Sequence, residues 1–83
     1  MNTKPTPEQI KQYIETGMSC QHVAVEGDGE HFQAVIVSAE FAGKRSIARH
    51  QIVYQALGDR MKAEIHALSM KTLTPDEWQG QAA

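Results

Sequence analysis

The stretch HVAVEGDGEHFQAVIVS, residues 22–38, decides the fold of this 83-residue chain. Its first part, His22 to Glu26, alternates in polarity and is rich in valine, which predicts a β-strand. Gly27 to Glu30 form a turn, because glycine and aspartate favour tight reversals of the backbone. His31 to Ser38 predict a second strand. Since a short turn joins the two strands, we expect an antiparallel hairpin.

A helix is predicted on the N-terminal side of the hairpin. Thr6 is a suitable N-cap, Pro7 takes the first helical position, and Gln9 stands three residues after the cap. Gly17 ends the helix. A second helix follows the hairpin, capped by Ser46, and its apolar stripe is predicted to face the core. The members of that stripe recur at spacings of three and four residues: Ile47, His50, Tyr54, Leu57 and Met61.

The C-terminal part predicts a third strand and a short last helix. The strand covers Ile65 to Leu73, Thr74 caps a helix from Pro75 to Trp78, and residues 79–83 are a frayed tail. The order is αββαβα, which gives one α+β domain over residues 1–83. We expect a three-stranded mixed sheet with the helices packed on one face.

The same order resembles class II KH domains, which hold nucleic acid with a GxxG loop. The corresponding loop here, AGKRS at residues 42–46, contains Gly43 but no second glycine. The sequence therefore predicts a KH-like fold without the KH backbone clamp.

Composition narrows the class of function. The net charge of −2 gives no overall attraction to nucleic acid or anionic membranes, and the longest apolar run is far too short to cross a bilayer. We therefore expect a cytoplasmic protein without a membrane partner. The single cysteine, Cys20, excludes an internal disulfide and a CxxC motif. No nucleophile elbow, phosphate loop or HExxH motif occurs, so we predict that the chain is not an enzyme.

Histidines are the candidate metal ligands. His66 opens the third strand and His31 follows the hairpin turn. Each has a simpler reading, as a half-buried edge residue for His66 and as a solvated loop residue for His31. A closed zinc site needs four ligands, so two histidines would be half of a site that another protein completes. His50 lies on the predicted apolar stripe, and a structural role is expected for it.

Lys44, Arg45 and Arg49 form a short basic cluster that leads into the second helix. Such a cluster is most often a solvated helix start. The alternative is contact with nucleic-acid phosphates.

Several spaced motifs, which together cover nearly the whole chain, closely resemble the BolA family. They are the F-x-G-K loop, the R-H-x-x-V-Y run, the H-A-L strand and the T-x-T-P-x-E-W segment. In this sequence the motif residues are Phe41, Gly43, Lys44, Arg49, His50, Val53, Tyr54, His66, Ala67, Leu68, Thr72, Thr74, Pro75, Glu77 and Trp78.

The resemblance implies a class II KH-like αββαβα fold and a partnership with monothiol glutaredoxins of the CGFS kind. The two proteins would share a bridging 2Fe–2S cluster, whose other iron is held by the glutaredoxin cysteine and glutathione. His66 is implied as the first ligand from this chain, and His31 best matches the second. Many relatives carry cysteine in that loop, whereas Cys20 precedes the first strand here and takes no such role.

The resemblance therefore implies a role in iron–sulfur cluster trafficking or in iron and redox sensing, with no cofactor in the isolated protein. It implies an alternative as well, a DNA-binding transcriptional regulator of the stress response or cell morphology that uses Lys44, Arg45 and Arg49. His50, Tyr54 and Trp78 are assigned structural roles.

Overall fold

The computed structural model describes residues 5–28, 30–60 and 67–82. The predicted order of elements is confirmed, with a short 3-10 turn, Ala39–Phe41, between the hairpin and the second helix. The elements are α1 (Pro7–Gly17), β1 (His22–Gly27), β2 (Phe32–Val37), α2 (Ser46–Leu57), β3 (Leu68–Leu73) and α3 (Pro75–Ala82).

The three strands form one mixed sheet in the order β1-β2-β3. β1 runs antiparallel to β2, with His22 opposite Val37, which confirms the hairpin. β3 runs parallel to β2, with Phe32 opposite Leu68. β2 and β3 therefore begin at one end of the sheet, where the hairpin turn lies, and finish together at the other end.

The start of α1 is set by local sequence, as predicted. Gln9 donates its backbone N–H to the Thr6 hydroxyl over 3.1 Å, and its side chain accepts the Thr6 backbone N–H over 3.0 Å. This reciprocal pair satisfies two donors that a helix start otherwise leaves open. At the other end of α1, a Cβ on Gly17 would lie 2.4 Å from the carbonyl oxygen of Ala56. Glycine there allows α1 and α2 to approach closely.

The main core lies between the sheet and the helices α1 and α2. It includes Phe41, which the 3-10 turn carries into the interior and which is fully buried. The other buried members come from both helices, the C-cap of α1 and all three strands: Ile10, Ile14, Met18, Val23, Phe32, Ala34, Ile36, Val53, Leu57 and Leu68.

The predicted apolar stripe of α2 is confirmed at Leu57 and wrong at Ile47 and Tyr54. Ile47 is 76% exposed and Tyr54 is 41% exposed, whereas the buried residues of the helix are Val53 and Leu57. His50 is half-buried at the edge of the core face. Because Val53 and Leu57 are four residues apart, they form their own stripe, which turns Ile47 and Tyr54 toward solvent.

Two further predictions about α2 and β3 change. Ser46 is the first helical residue rather than the cap, and Arg45 takes the cap position without a side-chain hydrogen bond. The described part of β3 begins at Leu68. Met61, Ile65 and the predicted ligand His66 lie outside the described residues.

α3 extends to Ala82, beyond the predicted end at Trp78, so residues 79–82 are helical rather than a frayed tail. The ring of Trp78 stacks on His22, with centroids 4.7 Å apart and planes 15° apart. Because side chains alternate along β1, His22 lies on the opposite face of the sheet from its buried neighbour Val23. It shares that face with Val37, its partner across the strands. α1 and α2 cover one face, as predicted, and the indole of α3 covers the end of the other.

Candidate metal-ligand site at the hairpin end

The hairpin turn holds the backbone of His31 through Asp28. The Asp28 carboxylate accepts the backbone N–H groups of Glu30 and His31, each over 2.9 Å, and Asp28 donates its own N–H to the His31 carbonyl over 3.2 Å. The His31 N–H, followed by that of Glu30, lowers the pKa of Asp28 below its usual range. The turn is therefore fixed by an ionised carboxylate that acts on the backbone.

This arrangement leaves the side chain of His31 exposed at the point where β2 begins. A cavity of about 300 Å³ opens beside it, lined by Glu26, Gly27, Asp28, His31 and Gln33. A neutral imidazole in such a position offers one ring nitrogen to a ligand and is reachable from solvent. The local geometry of His31 thus fits a metal-ligating role.

The parallel pairing of β2 and β3 brings a second segment to the same end of the sheet. Leu68 is level with Phe32, and Ala67, the first described residue of that segment, precedes Leu68 directly. His66 precedes Ala67 in the sequence and lies outside the described residues.

In residues 5–28, 30–60 and 67–82, no three histidine, cysteine, aspartate or glutamate side chains group closely enough to hold a metal ion. Cys20 is half-buried, and burial, followed by the charges of Glu40 and Glu15, raises the pKa of its thiol to about 11. Because the thiolate is the form that ligates metal, this environment disfavours Cys20 as a ligand.

The three basic residues of the predicted cluster differ in exposure and in their contacts. Lys44 and Arg45 are exposed, whereas only 13% of the Arg49 side chain is accessible. Arg49 donates to the carbonyl of Lys44 over 2.7 Å and to that of Thr72 over 3.0 Å. It also pairs with Glu77 over 2.8 Å. Arg49 is thus committed inside the domain, which leaves two basic residues available to a partner.

Glu77 takes part in two sets of contacts at the start of α3: a capping box with Thr74 and an ion pair with Arg49. Its carboxylate accepts the Thr74 backbone N–H over 2.9 Å, and its own N–H donates to the Thr74 hydroxyl over 3.2 Å, which confirms Thr74 as the cap and forms a capping box. The same carboxylate receives the Arg49 guanidinium. The Arg49 hydrogen bond, followed by the Thr74 N–H, lowers the pKa of Glu77 to about 2.

The remaining predicted structural residues differ in their contacts. The His50 ring meets Tyr54 edge to face, with centroids 6.5 Å apart and an interplanar angle of 65°. Trp78 finds its partner in His22, a residue to which the sequence assigned no role. Because side chains alternate along β1, His22 lies on the face of the sheet opposite to that of Val23. Its stacking partner Trp78 could not be predicted from the sequence, because that contact depends on where α3 packs.

Comparison with known proteins places this α+β, class II KH-like domain in a family. A family model described as BolA-like protein matches residues 2–77. The chain therefore belongs to the BolA-like family. A solved structure of a BolA homologue from Coxiella burnetii is 51% identical and has a TM-score of 0.81. The matched region covers 90% of this chain and 97% of the Coxiella burnetii chain.

Two relatives known by name show the range of the family. The chain is 42% identical over 73 residues to the DNA-binding transcriptional regulator BolA of Vibrio cholerae, covering 88% of this chain and 66% of the relative. It is 38% identical over 71 residues to the acid stress protein IbaG of Escherichia coli, covering 84% of each. The chain spans 58% to 66% of the length of the first three curated relatives that it matches. Among its described helices, none has the length and apolar character needed to cross a bilayer.

Proposed function

We propose that this chain is a partner of a monothiol glutaredoxin and co-ligates a bridging 2Fe–2S cluster through His31 and His66. The observation that carries the proposal is the exposed imidazole of His31 at the start of β2. The start of β3, two residues after His66 in the sequence, lies beside the start of β2 in the sheet. Membership of the BolA-like family adds support.

The residues of this chain fit half of such a site. Imidazole nitrogen is an established ligand of 2Fe–2S iron, and a cluster ligated partly by histidine has a higher reduction potential than one held by cysteine alone. When bound, the cluster would supply one-electron redox chemistry. His31 and His66 would supply neutral nitrogen donors, and the partner's cysteine and glutathione would supply thiolates.

The chain's own contribution to pH dependence follows from its ligands. A histidine ligates metal only in its neutral form, since the imidazolium has no free lone pair. Sharing of the cluster should therefore weaken as the pH falls through the imidazole range. In this function the chain serves trafficking or sensing of iron–sulfur clusters and performs no catalytic step.

The test is visible absorption and circular dichroism of the chain mixed with a cluster-loaded monothiol glutaredoxin and glutathione. We expect a new cluster spectrum with the wild-type chain, its loss in His66→Ala, and its loss or marked change in His31→Ala. His50→Ala is the matched control, because it removes a histidine that lies in α2, away from the hairpin turn. An unchanged wild-type spectrum, with no complex on gel filtration, would contradict the proposal.

DNA-binding regulation is the second candidate, favoured by the name of the Vibrio cholerae relative. Lys44 and Arg45 are the exposed cations that would contact phosphates, whereas the pairing of Arg49 with Glu77 weakens its own candidacy. The test is affinity for duplex DNA as a function of salt, since neutralised phosphates release counterions and make binding steeply salt-dependent. This candidate predicts that Lys44→Glu together with Arg45→Glu abolishes binding, and binding that this pair leaves intact would refute it.

A further inference from the structure

One flank of α2, beside the face that packs on the core, exposes two large apolar side chains. Ile47 is 76% exposed and Tyr54 is 41% exposed, while Val53 and Leu57 of the same helix are buried. Ile47 and Tyr54 are seven residues apart, which is close to two helical turns, so they lie in line on one face. Single exposed apolar residues are ordinary, but two in line on one helix face form a small surface.

We define the α2 outer surface as Ile47, His50, Gln51 and Tyr54. His50 meets Tyr54 edge to face, so the two rings form one continuous part of it. Gln51 is exposed, and its position on the helix is between Ile47 and Tyr54. None of the four side chains is an acid, a lysine or an arginine. The surface is therefore an apolar and aromatic strip rather than a typical charged helix exterior.

Positive charge borders this surface on one side. Lys44 and Arg45 are exposed and come just before Ile47 in the chain. The two other described arginines are engaged within the domain: Arg49 pairs with Glu77, and Arg60 lies over the ring of Tyr13 at 5.1 Å from its centroid. The α2 outer surface thus has an apolar centre and two exposed cations, Lys44 and Arg45, at its N-terminal border.

The start of this surface lies at the far end of the sheet from His31. Arg49, in the first turns of α2, contacts the carbonyl of Thr72, close to where β3 finishes. His31 precedes β2 at the end where both parallel strands begin. A strand of six residues spans about 20 Å. A partner seated around Ile47 would therefore not need to cover the hairpin end.

We propose that the α2 outer surface docks an acidic protein segment that packs an apolar side chain against Ile47 and Tyr54. Carboxylates that flank this side chain would face Lys44 and Arg45. A protein segment suits the surface better than nucleic acid, because the exposed isoleucine gains by burial against another apolar group and offers nothing to a phosphate. This inference goes beyond the shared cluster and does not depend on it.

The probe is a synthetic amphipathic helical peptide of about 16 residues, just over four turns, with leucines on one face and glutamates beside them. It is titrated into the isotope-labelled full chain, and amide shifts are followed by NMR. We expect shifts confined to α2 and to the preceding residues 42–45. Binding should weaken about tenfold in Ile47→Ser, and about tenfold in Lys44→Glu combined with Arg45→Glu, each equivalent to about 1.4 kcal/mol.

Controls separate a docking surface from general stickiness and from misfolding. Lys71→Glu changes an exposed cation on β3 and should leave binding unchanged. Because Ile47 is 76% exposed, Ile47→Ser should keep the wild-type circular dichroism and melting curve. No shift with the acidic peptide, equal binding of a peptide with lysines in place of the glutamates, or unaltered binding by Ile47→Ser would each overturn the proposal. Tighter binding of duplex DNA at the same residues would overturn it in favour of a nucleic-acid surface.

Discussion

The two ends of the sheet are built in different ways. Where β2 and β3 finish, the Arg49 guanidinium joins three elements, because it reaches the Thr72 carbonyl in β3 and the Glu77 carboxylate in α3 from its place in α2. Where these strands begin, Asp28 stabilises a local turn, and the side chain of His31 points outward. One end is held together by long-range pairing, and the other leaves a potential ligand exposed. Stability and ligation should therefore respond to different mutations.

The largest expected effect comes from removing the guanidinium. Arg49→Leu deletes the hydrogen bonds to two carbonyls and the pair with Glu77. We expect the free energy of unfolding to fall by about 2 kcal/mol, since hydrogen bonds involving charged groups contribute about 1.5–3 kcal/mol. Urea unfolding followed by circular dichroism measures this change. Arg45→Leu, at an exposed arginine, is the matched control and should change stability by less than about 0.5 kcal/mol. Equal effects of the two variants would contradict the assigned role of Arg49.

A smaller effect at the same end concerns pH. Glu77 has a pKa of about 2 in the folded chain against an ordinary value of 4.5, so the folded state binds fewer protons than the unfolded state between these values. Its contribution to stability is complete above the ordinary value and is lost as the pH falls toward 2. Unfolding curves from neutral pH to about pH 2 should therefore fall less steeply in Glu77→Gln than in the wild type.

Asp28 also has a lowered pKa in the folded chain, but both the wild type and Glu77→Gln retain it. The difference between the two curves therefore reports on Glu77 alone. Parallel curves would show that the carboxylate of Glu77 is not more strongly stabilised in the folded chain. The effect should be smaller than that of Arg49→Leu, because a neutral side chain at residue 77 leaves the bonds from Arg49 to the two carbonyls in place.

The smallest effect on stability is expected at the other end of the sheet. His31→Ala removes an exposed side chain and keeps the backbone N–H that Asp28 accepts, so the free energy of unfolding should change by less than about 0.5 kcal/mol. The same denaturation experiment measures it. A loss comparable with that of Arg49→Leu would mean that the imidazole supports the fold, and the contrast between the two ends would fail.

Local signals in the sequence predicted most of the fold. The two capping boxes, at Thr6 and Thr74, and the turn around Asp28 depend on residues within three positions of one another, and all three occur in the structure. The directions of strand pairing follow from the same local signals, because a short turn enforces antiparallel pairing and a helical connection permits parallel pairing. The choice of β2 rather than β1 as the partner of β3 does not follow from them.

The buried face of α2 could not be chosen in that way. Ile47, Tyr54 and Leu57 fit one apolar period, but Val53 and Leu57 fit another, and the sequence pattern does not distinguish the two faces. The true orientation brings Arg49 to its partners in β3 and α3, 23 and 28 residues away in the chain. Contacts between residues so far apart in the chain produce no periodic pattern in the sequence. For the candidate site, the predicted position of His31 beside the turn is confirmed, whereas metal ligation by His31 and by His66 stays a prediction.

The stack of Trp78 on His22 provides a spectroscopic consequence. Trp78 is the chain's only tryptophan, and it belongs to α3 while its stacking partner belongs to β1. Its emission and near-ultraviolet dichroism therefore report whether the last helix is docked on the sheet, separately from far-ultraviolet signals that follow the whole fold. Local detachment of α3 would appear as an early change in this one fluorophore, so the native chain contains an optical probe and needs no added label.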